Sequence, residues 1–322
     1  MARALVTGIT GQDGGYLAER LLADGVEVHG LVHHEDPAGP EFAARHPQVA
    51  LHHGDLADHD SLRRLVADVE PDEVYNLAGV SSVAFSWQEP VLTAELSGVA
   101  VAVLLGAALE VQERTGRPIR FLQASSAEIF GDAEESPQHE GTPVRPVSPY
   151  GAAKAYAHHM AHVYRVRGLP VATCILFNHE SPRRPPTFVT RKITAAAARI
   201  ARDGGTLALG NLDARRDWGW APDYVDAMVR AVRHTTPEDY VVATGATHSV
   251  ADFVAAAFRH VGITDWRSHV ESDPAFMRPA DAREMVGDAS RAREVLGWAP
   301  TVTFEQMVAA MVDEDVRLLA ES

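Results

Sequence analysis

Tyr150 and Lys154 stand four residues apart in Ser148-Pro-Tyr-Gly-Ala-Ala-Lys, a spacing that one turn of helix converts into a shared face. A phenol beside an ammonium is an acid/base group with its own tuner, because a nearby cation favours the phenolate. Of the 29 cationic residues, all but Lys154 and Lys192 are arginine. A guanidinium is never deprotonated and bonds as a planar fork, whereas an ammonium is a compact point charge that fits a tight pocket. The string Gln123-Ala-Ser-Ser126-Ala-Glu128 adds a hydroxyl and a carboxylate at the predicted C-terminal end of a strand, the edge where open parallel sheets place ligands. Tyr-x-x-x-Lys alone also fits a surface helix, and Glu128 alone a solvated turn. Together the two strings favour a catalytic set.

A second constellation opens the chain. Val6-Thr7-Gly8-Ile9-Thr10-Gly11-Gln12-Asp13-Gly14 follows a predicted strand and leads into a predicted helix. Glycines there permit positive φ and let backbone amides approach a diphosphate at the helix N-terminus, so Gly8, Thr10, Gly11, Gln12, Asp13 and Gly14 read as a dinucleotide site. Asp55-Leu56 follows the third strand, where it suits either an adenine edge or a simple turn. Asn76-Leu77-Ala78-Gly79 ends the fourth with small residues that a cofactor ribose could pass.

The elements that must position these groups alternate. Apolar runs at 4–7, 27–32, 73–77, 120–124 and 171–177 read as strands, and 15–23, 62–69, 93–112 and 150–167 as helices. That rhythm predicts an α/β fold: a Rossmann-like, doubly wound parallel sheet covered on both faces. After Asn178 it changes to a proline-rich loop, a helix over 191–203 and shorter elements, with a tail over 291–322 that reads as surface helices parted by Trp298-Ala-Pro. The expected division is a dinucleotide-binding domain over 1–177, with part of 218–243 returning to it, and a smaller interleaved unit from 178–217 and 244–322.

Composition excludes several classes. A net charge of −15 argues against general binding to nucleic acid or an anionic membrane. Cys174, the single cysteine, rules out an intrachain disulfide framework and reads as a buried packing residue. No secretory h-region and no 18-residue apolar span stand out, so the cytoplasm is the expected compartment; no metal site is expected.

These strings resemble the extended short-chain dehydrogenase/reductase superfamily, and within it the GDP-mannose 4,6-dehydratase family. The likeness continues through Leu176-Phe-Asn-His-Glu-Ser-Pro-Arg-Arg184, Phe188-Val-Thr-Arg-Lys-Ile193 and Leu209-Gly-Asn-Leu-Asp-Ala-Arg-Arg-Asp-Trp-Gly219. The resemblance implies that Ser126 and Glu128 are the catalytic hydroxyl and acid/base, and Tyr150 and Lys154 the oxidation pair. It implies cofactor contacts from His33, Leu77, Ala78, Gly79, Ser81, Lys154, His179 and Arg184, and sugar-nucleotide contacts from Ser82, Asn178, Val189, Lys192, Arg216 and Arg278. The implied reaction converts GDP-mannose to GDP-4-keto-6-deoxymannose with a tightly held NAD or NADP. An epimerase, or a dehydratase for another nucleotide sugar, is the alternative; a non-catalytic nucleotide binder ranks lower.

Eight of the 29 cationic residues lie between Arg183 and Arg216, enough to hold a diphosphate in an acidic chain. Where the family pattern has an arginine pair after the second strand, this chain has Val32-His33-His34-Glu35-Asp36 and a short loop. Histidine is mostly neutral near pH 7 and carboxylates repel a 2′-phosphate, which favours NAD. The short loop also favours a homodimer, through helices near 93–112 and 150–167, over a tetramer. Val80, Asp281 and Arg283 depart from the pattern beside the expected sites.

Overall fold

The structure, a computed structural model, describes residues 1–276 and 284–321. The chain opens with β1 (Arg3–Thr7), α1 (Gln12–Ala23), β2 (Glu27–Val32), α2 (Gly39–Arg45), β3 (Ala50–His53), α3 (His59–Val69) and β4 (Glu73–Asn76). Next come α4 (Val83–Gln88), α5 (Pro90–Ala94), a π turn at Glu95–Val99, α6 (Ala100–Thr115), β5 (Arg120–Ser126), α7 (Pro149–Val166) and β6 (Val171–Leu176). Then follow β7 (Asn178–Glu180), α8 (Val189–Asp203), β8 (Leu207–Leu209), β9 (Arg215–Arg216), β10 (Trp218–Trp220), α9 (Ala221–Arg233) and β11 (Asp239–Val242). The remainder comprises β12 (His248–Ser249), α10 (Val250–His260), β13 (Val270–Ser272), β14 (Glu284–Met285), α11 (Ser290–Leu296) and α12 (Phe304–Glu321).

Seven strands form one all-parallel sheet in the order β11-β6-β5-β4-β1-β2-β3. This is the doubly wound sheet expected from the alternation. Successive residues of a strand face opposite sides, so Ala4 and Val6 join a core with α1 and α9 while Leu5 joins one with α3, α6 and α7. Strand order reverses between β1 and β4, and the crevice at such a switch point is where open α/β sheets bind ligands. The crevice edge is fixed by side chains: Thr7 Oγ1 donates to Asn76 Oδ1 at 2.7 Å, and Asn76 Nδ2 to Gln123 Oε1 at 2.8 Å.

A second core is built from α8, α10 and α12, with Ile193, Phe253, Phe258, Met307 and Met311 buried among them. Two expectations are corrected here. The tail is not simply surface helix: α12 buries Met307, Val308, Met311 and Val312, and Trp298 is buried with Nε1 donating to Asp223 O at 2.7 Å. The continuous helical stretch Pro90–Thr115 is long and apolar enough to cross a membrane by length and composition, contrary to the sequence reading. More than half of its apolar window is buried, packed on α3 and α7, because a parallel sheet needs an apolar cover on each face.

Candidate active site

A cavity of about 380 Å³ opens at the C-terminal edge of the sheet. Ser126, Glu128, Tyr150 and Lys154 all line it. Ser126 ends β5 and its Oγ accepts from Glu128 N at 3.3 Å, which turns the chain so that both residues border the cavity. Tyr150 is set by the start of α7, where Ser148 Oγ accepts from Gly151 N at 3.0 Å and Pro149 takes the first helical turn. Gly151 then permits contact with the strand end, since a Cβ there would lie 2.5 Å from Glu128 O.

Tyr150 and Lys154 are buried, whereas Ser126 and Glu128 are partly exposed to the cavity. Lys154 Nζ lies 5.9 Å from the Tyr150 ring centre and donates to Ala124 O at 3.0 Å. Burial pushes Lys154 down to about 8 and Tyr150 up to about 12, the latter opposed by a hydrogen bond with Ser126. A lysine that titrates near working pH is the group whose charge can support a phenolate.

On the β1 side, no side chain caps the first turn of α1, and a Cβ on Gly14 would overlap Gly8 O. Gly8 has φ +70° and Gly79 φ +140°, both favouring glycine. Thr7 Oγ1 accepts from Leu77 N and Ala78 N at 3.2 and 3.1 Å, drawing the end of β4 against this loop. Asp13, Leu77, Gly79, Ser81, His179 and Arg184 line the cavity; Gly8, Thr10, Gly11, Gln12, Gly14 and Ala78 do not. His33, Asp55 and Leu56 lie off the cavity near the ends of β2 and β3. There His33 Nδ1 accepts from Glu35 N at 3.2 Å, and its Nε2 stands 3.7 Å from Asp55 Oδ2. Asp55 Oδ1 accepts from Ala57 N at 2.9 Å, the turn geometry that was the alternative for this residue.

On the far side, Asn178, Val189, Lys192 and Arg216 line the cavity. Lys192 Nζ sits 3.4 Å above the Phe276 ring centre and donates to Ala208 O at 2.8 Å. Ser82 does not line it; its Oγ caps α4 by accepting from Phe85 N at 3.1 Å. Arg278, Asp281 and Arg283 lie outside the described residues.

Two polar residues escaped the sequence reading of this site, and a third, Asp36, entered it only as one of two acids bearing on the cofactor. Ser125 borders the cavity beside Ser126, its buried hydroxyl without a hydrogen-bond partner among the described residues. Glu180 lies in the wall, 3.1 Å from Arg184 and accepting from Thr190 Oγ1 at 2.7 Å; burial raises its pKa. Asp36 accepts from Thr10 Oγ1 at 2.5 Å and from Ala38 N at 2.9 Å, locking a carboxylate against the glycine loop. Glu180 was visible only as the residue after His179 in a string, and Asp36 only as one of two acids after β2.

Fold and site together define an enzyme of the extended short-chain dehydrogenase/reductase type. The family model described as GDP-mannose 4,6 dehydratase matches residues 5–311, and the chain belongs to that family. It is 47% identical to GDP-mannose 4,6 dehydratase 1 of Arabidopsis thaliana over 98% of this chain and 90% of that protein. Identity to the GDP-mannose 4,6 dehydratase of Homo sapiens is 42%, over 98% and 92%. Among solved structures, the UDP-glucose 4-epimerase of Thermus thermophilus in complex with NAD superposes with a TM-score of 0.84 at 28% identity, over 97% of this chain and 98% of that one.

Proposed function

We propose that the protein converts GDP-mannose to GDP-4-keto-6-deoxymannose and water. The observation that carries this reading is the gathering of Ser126, Glu128, Tyr150 and Lys154 around one cavity, with a carboxylate added to the hydroxyl, phenol and ammonium that an alcohol oxidation alone would need. Residues 1–177 with part of 218–243 are proposed to hold the dinucleotide, and 178–217 with 244–322 the nucleotide sugar. The glycine loop, whose tight turn leaves no room for a side chain at Gly14, fits a dinucleotide diphosphate.

A bound nicotinamide would supply acceptance of hydride from the sugar C4 and its return to C6. Tyr150 Oη takes the proton of the C4 hydroxyl, and Lys154 stabilises the phenolate that does so. The C4 ketone acidifies the C5 hydrogen, and Glu128 removes that proton. The C6 hydroxyl leaves as water, protonated from Glu128 and oriented by Ser126; a proton then returns to C5. No cofactor is consumed. Asn178, Val189, Lys192 and Arg216 are proposed to hold the nucleotide sugar.

The cofactor reading is NAD. Asp36 places a carboxylate in the loop after β2, 22 residues beyond Gly14 and against the glycine loop, where it could read the adenosine ribose. A carboxylate accepts from a free 2′-hydroxyl and repels a 2′-phosphate. A homodimer is proposed through α5 to α7: Val91, Val99, Tyr156, Val163 and Val166 are exposed there, an apolar face suited to a second copy.

The test is mass spectrometry of products formed in deuterated buffer from GDP-mannose, with UDP-glucose and dTDP-glucose as controls. Loss of one water from GDP-mannose alone, with one deuterium at C5, is expected. An unlabelled, isomeric product would point to C4 epimerisation instead.

A further inference from the structure

Asp13 sits awkwardly for an anion site. It occupies the first turn of α1, behind the Gly11 N-cap and with no side chain capping the helix, where a dinucleotide fold receives its diphosphate. An uncompensated carboxylate there would repel that anion. The compensation comes from across the crevice: His179 Nε2 lies 2.8 Å from Asp13 Oδ2, and His179 Nδ1 lies 2.7 Å from Phe177 O. Both neighbours are acceptors. A neutral imidazole carries one N–H, so donating to both requires a proton on each nitrogen.

The surroundings fix this arrangement. The His179 ring stacks on Tyr224 with centroids 4.6 Å apart and planes inclined by 24°. Gln12 Nε2 donates to His179 O and to Asp13 Oδ1, each at 3.2 Å, and Ser181 Oγ donates to Gln12 Oε1 at 2.8 Å. Among the other charges, Arg184 and Glu180 face each other at 3.1 Å. Arg184 and Lys154 also interact electrostatically with Asp13, but His179 is the cation in direct contact with its carboxylate.

We propose that His179 is held as an imidazolium that cancels the charge of Asp13, leaving the α1 N-terminus free to attract the diphosphate of a nicotinamide dinucleotide. His179 is a positioning residue here, acting through Asp13, and the proposal rests on reading the glycine loop as the dinucleotide site. Titration directions agree. Burial alone would lower the imidazole pKa and raise that of the carboxyl, yet the pair's attraction wins, raising His179 and lowering Asp13.

The experiment is a mutant cycle in the full-length protein freed of dinucleotide, reading NAD and NADP affinity by calorimetry. His179→Gln removes the charge but keeps a donor, and should weaken binding about tenfold or more, the scale of exposing an unpaired charge to an anion. Adding Asp13→Asn to that variant should restore affinity to within about threefold. A double variant as weak as His179→Gln would make the role structural and overturn the charge argument, as would unchanged affinity in His179→Gln. A wild-type protein that binds neither dinucleotide would sink the site reading itself, and this inference with it. Nitrogen-15 spectra of labelled histidine add a readout on the unmutated chain. Both ring nitrogens of His179 should stay in the imidazolium range at a pH where an ordinary histidine is already neutral, and a neutral tautomer there would overturn the proposal.

Discussion

The two ends of the cavity are built differently. At the reacting end, Ser126, Glu128, Tyr150 and Lys154 come from one strand end and one helix start, all anchored on the central sheet. At the far end, Asn178, Val189, Lys192 and Arg216 come from β7, α8 and β9, and their companions Leu209 and Phe276 from β8 and from a segment further along the chain. Rigid elements place a few atoms closely enough for proton transfer, whereas assembled short strands can be varied to suit a nucleotide without disturbing the chemistry. The difference predicts that changes at the first end act on kcat and changes at the second on KM.

The sharpest way to break that contrast is Tyr150→Phe. Its expected loss is about 10³-fold in kcat, within the usual range for a removed acid/base group, with dinucleotide affinity kept. Glu128→Gln should lose about 10²-fold or more in dehydration and abolish deuterium uptake at C5, while bound dinucleotide is still reduced on adding GDP-mannose. Unchanged turnover in Glu128→Gln would remove it from the mechanism. At the other end, Arg216→Gln should raise KM for the nucleotide sugar about tenfold, the scale of one charge-assisted hydrogen bond, with kcat within about threefold. A kcat loss as large as that of Tyr150→Phe would mean the two ends are not separable.

The same contrast explains what the sequence revealed. The reacting end was legible because its residues sit in two short strings with helical and strand-end spacing. The parallel sheet was legible for the same local reason, five of its strands being short, predominantly apolar runs. What stayed hidden depends on long-range packing. Glu180 becomes part of the wall only when β7 pairs with β10, and α12 becomes core only when it meets α8 and α10. Asp36 was read as one of two interchangeable acids; its contact with Thr10, 26 residues away, singles it out. Ser82, a hydroxyl carried over by resemblance, serves here as a helix cap between the cavity residues Ser81 and Val83.

Asp36 also offers a smaller test of the cofactor reading. Asp36→Ser removes the carboxylate but keeps a partner for Thr10, and should shift the NAD to NADP preference about tenfold toward NADP, measured as the ratio of dissociation constants. If the ratio does not move, the 2′ position is read elsewhere, and His33 is the next residue to change.

The smallest effect concerns Lys154, and it sets stability against activity. Burial lowers its folded pKa to about 8 from an ordinary value of 10.5, so between these values the unfolded chain binds the extra proton and stability rises with pH. Below about pH 8 the buried charge is present in full and costs stability. Lys154→Met should therefore melt a few degrees higher than wild type near pH 7, an advantage that shrinks toward pH 10.5. Ala124 O, which loses the lysine as donor, keeps a bond from Gln123 Nε2 at 2.9 Å, so the substitution strands no buried acceptor. Activity should move the other way: in the wild type, kcat/KM falls as pH rises through about 8 and the phenolate loses its cation, and Lys154→Met is slow throughout. Differential scanning calorimetry and kcat/KM profiles across this range would expose the trade. A variant that melts lower at pH 7 would mean the ammonium is paired well enough to stabilise the fold, and would remove the reason for its depressed pKa.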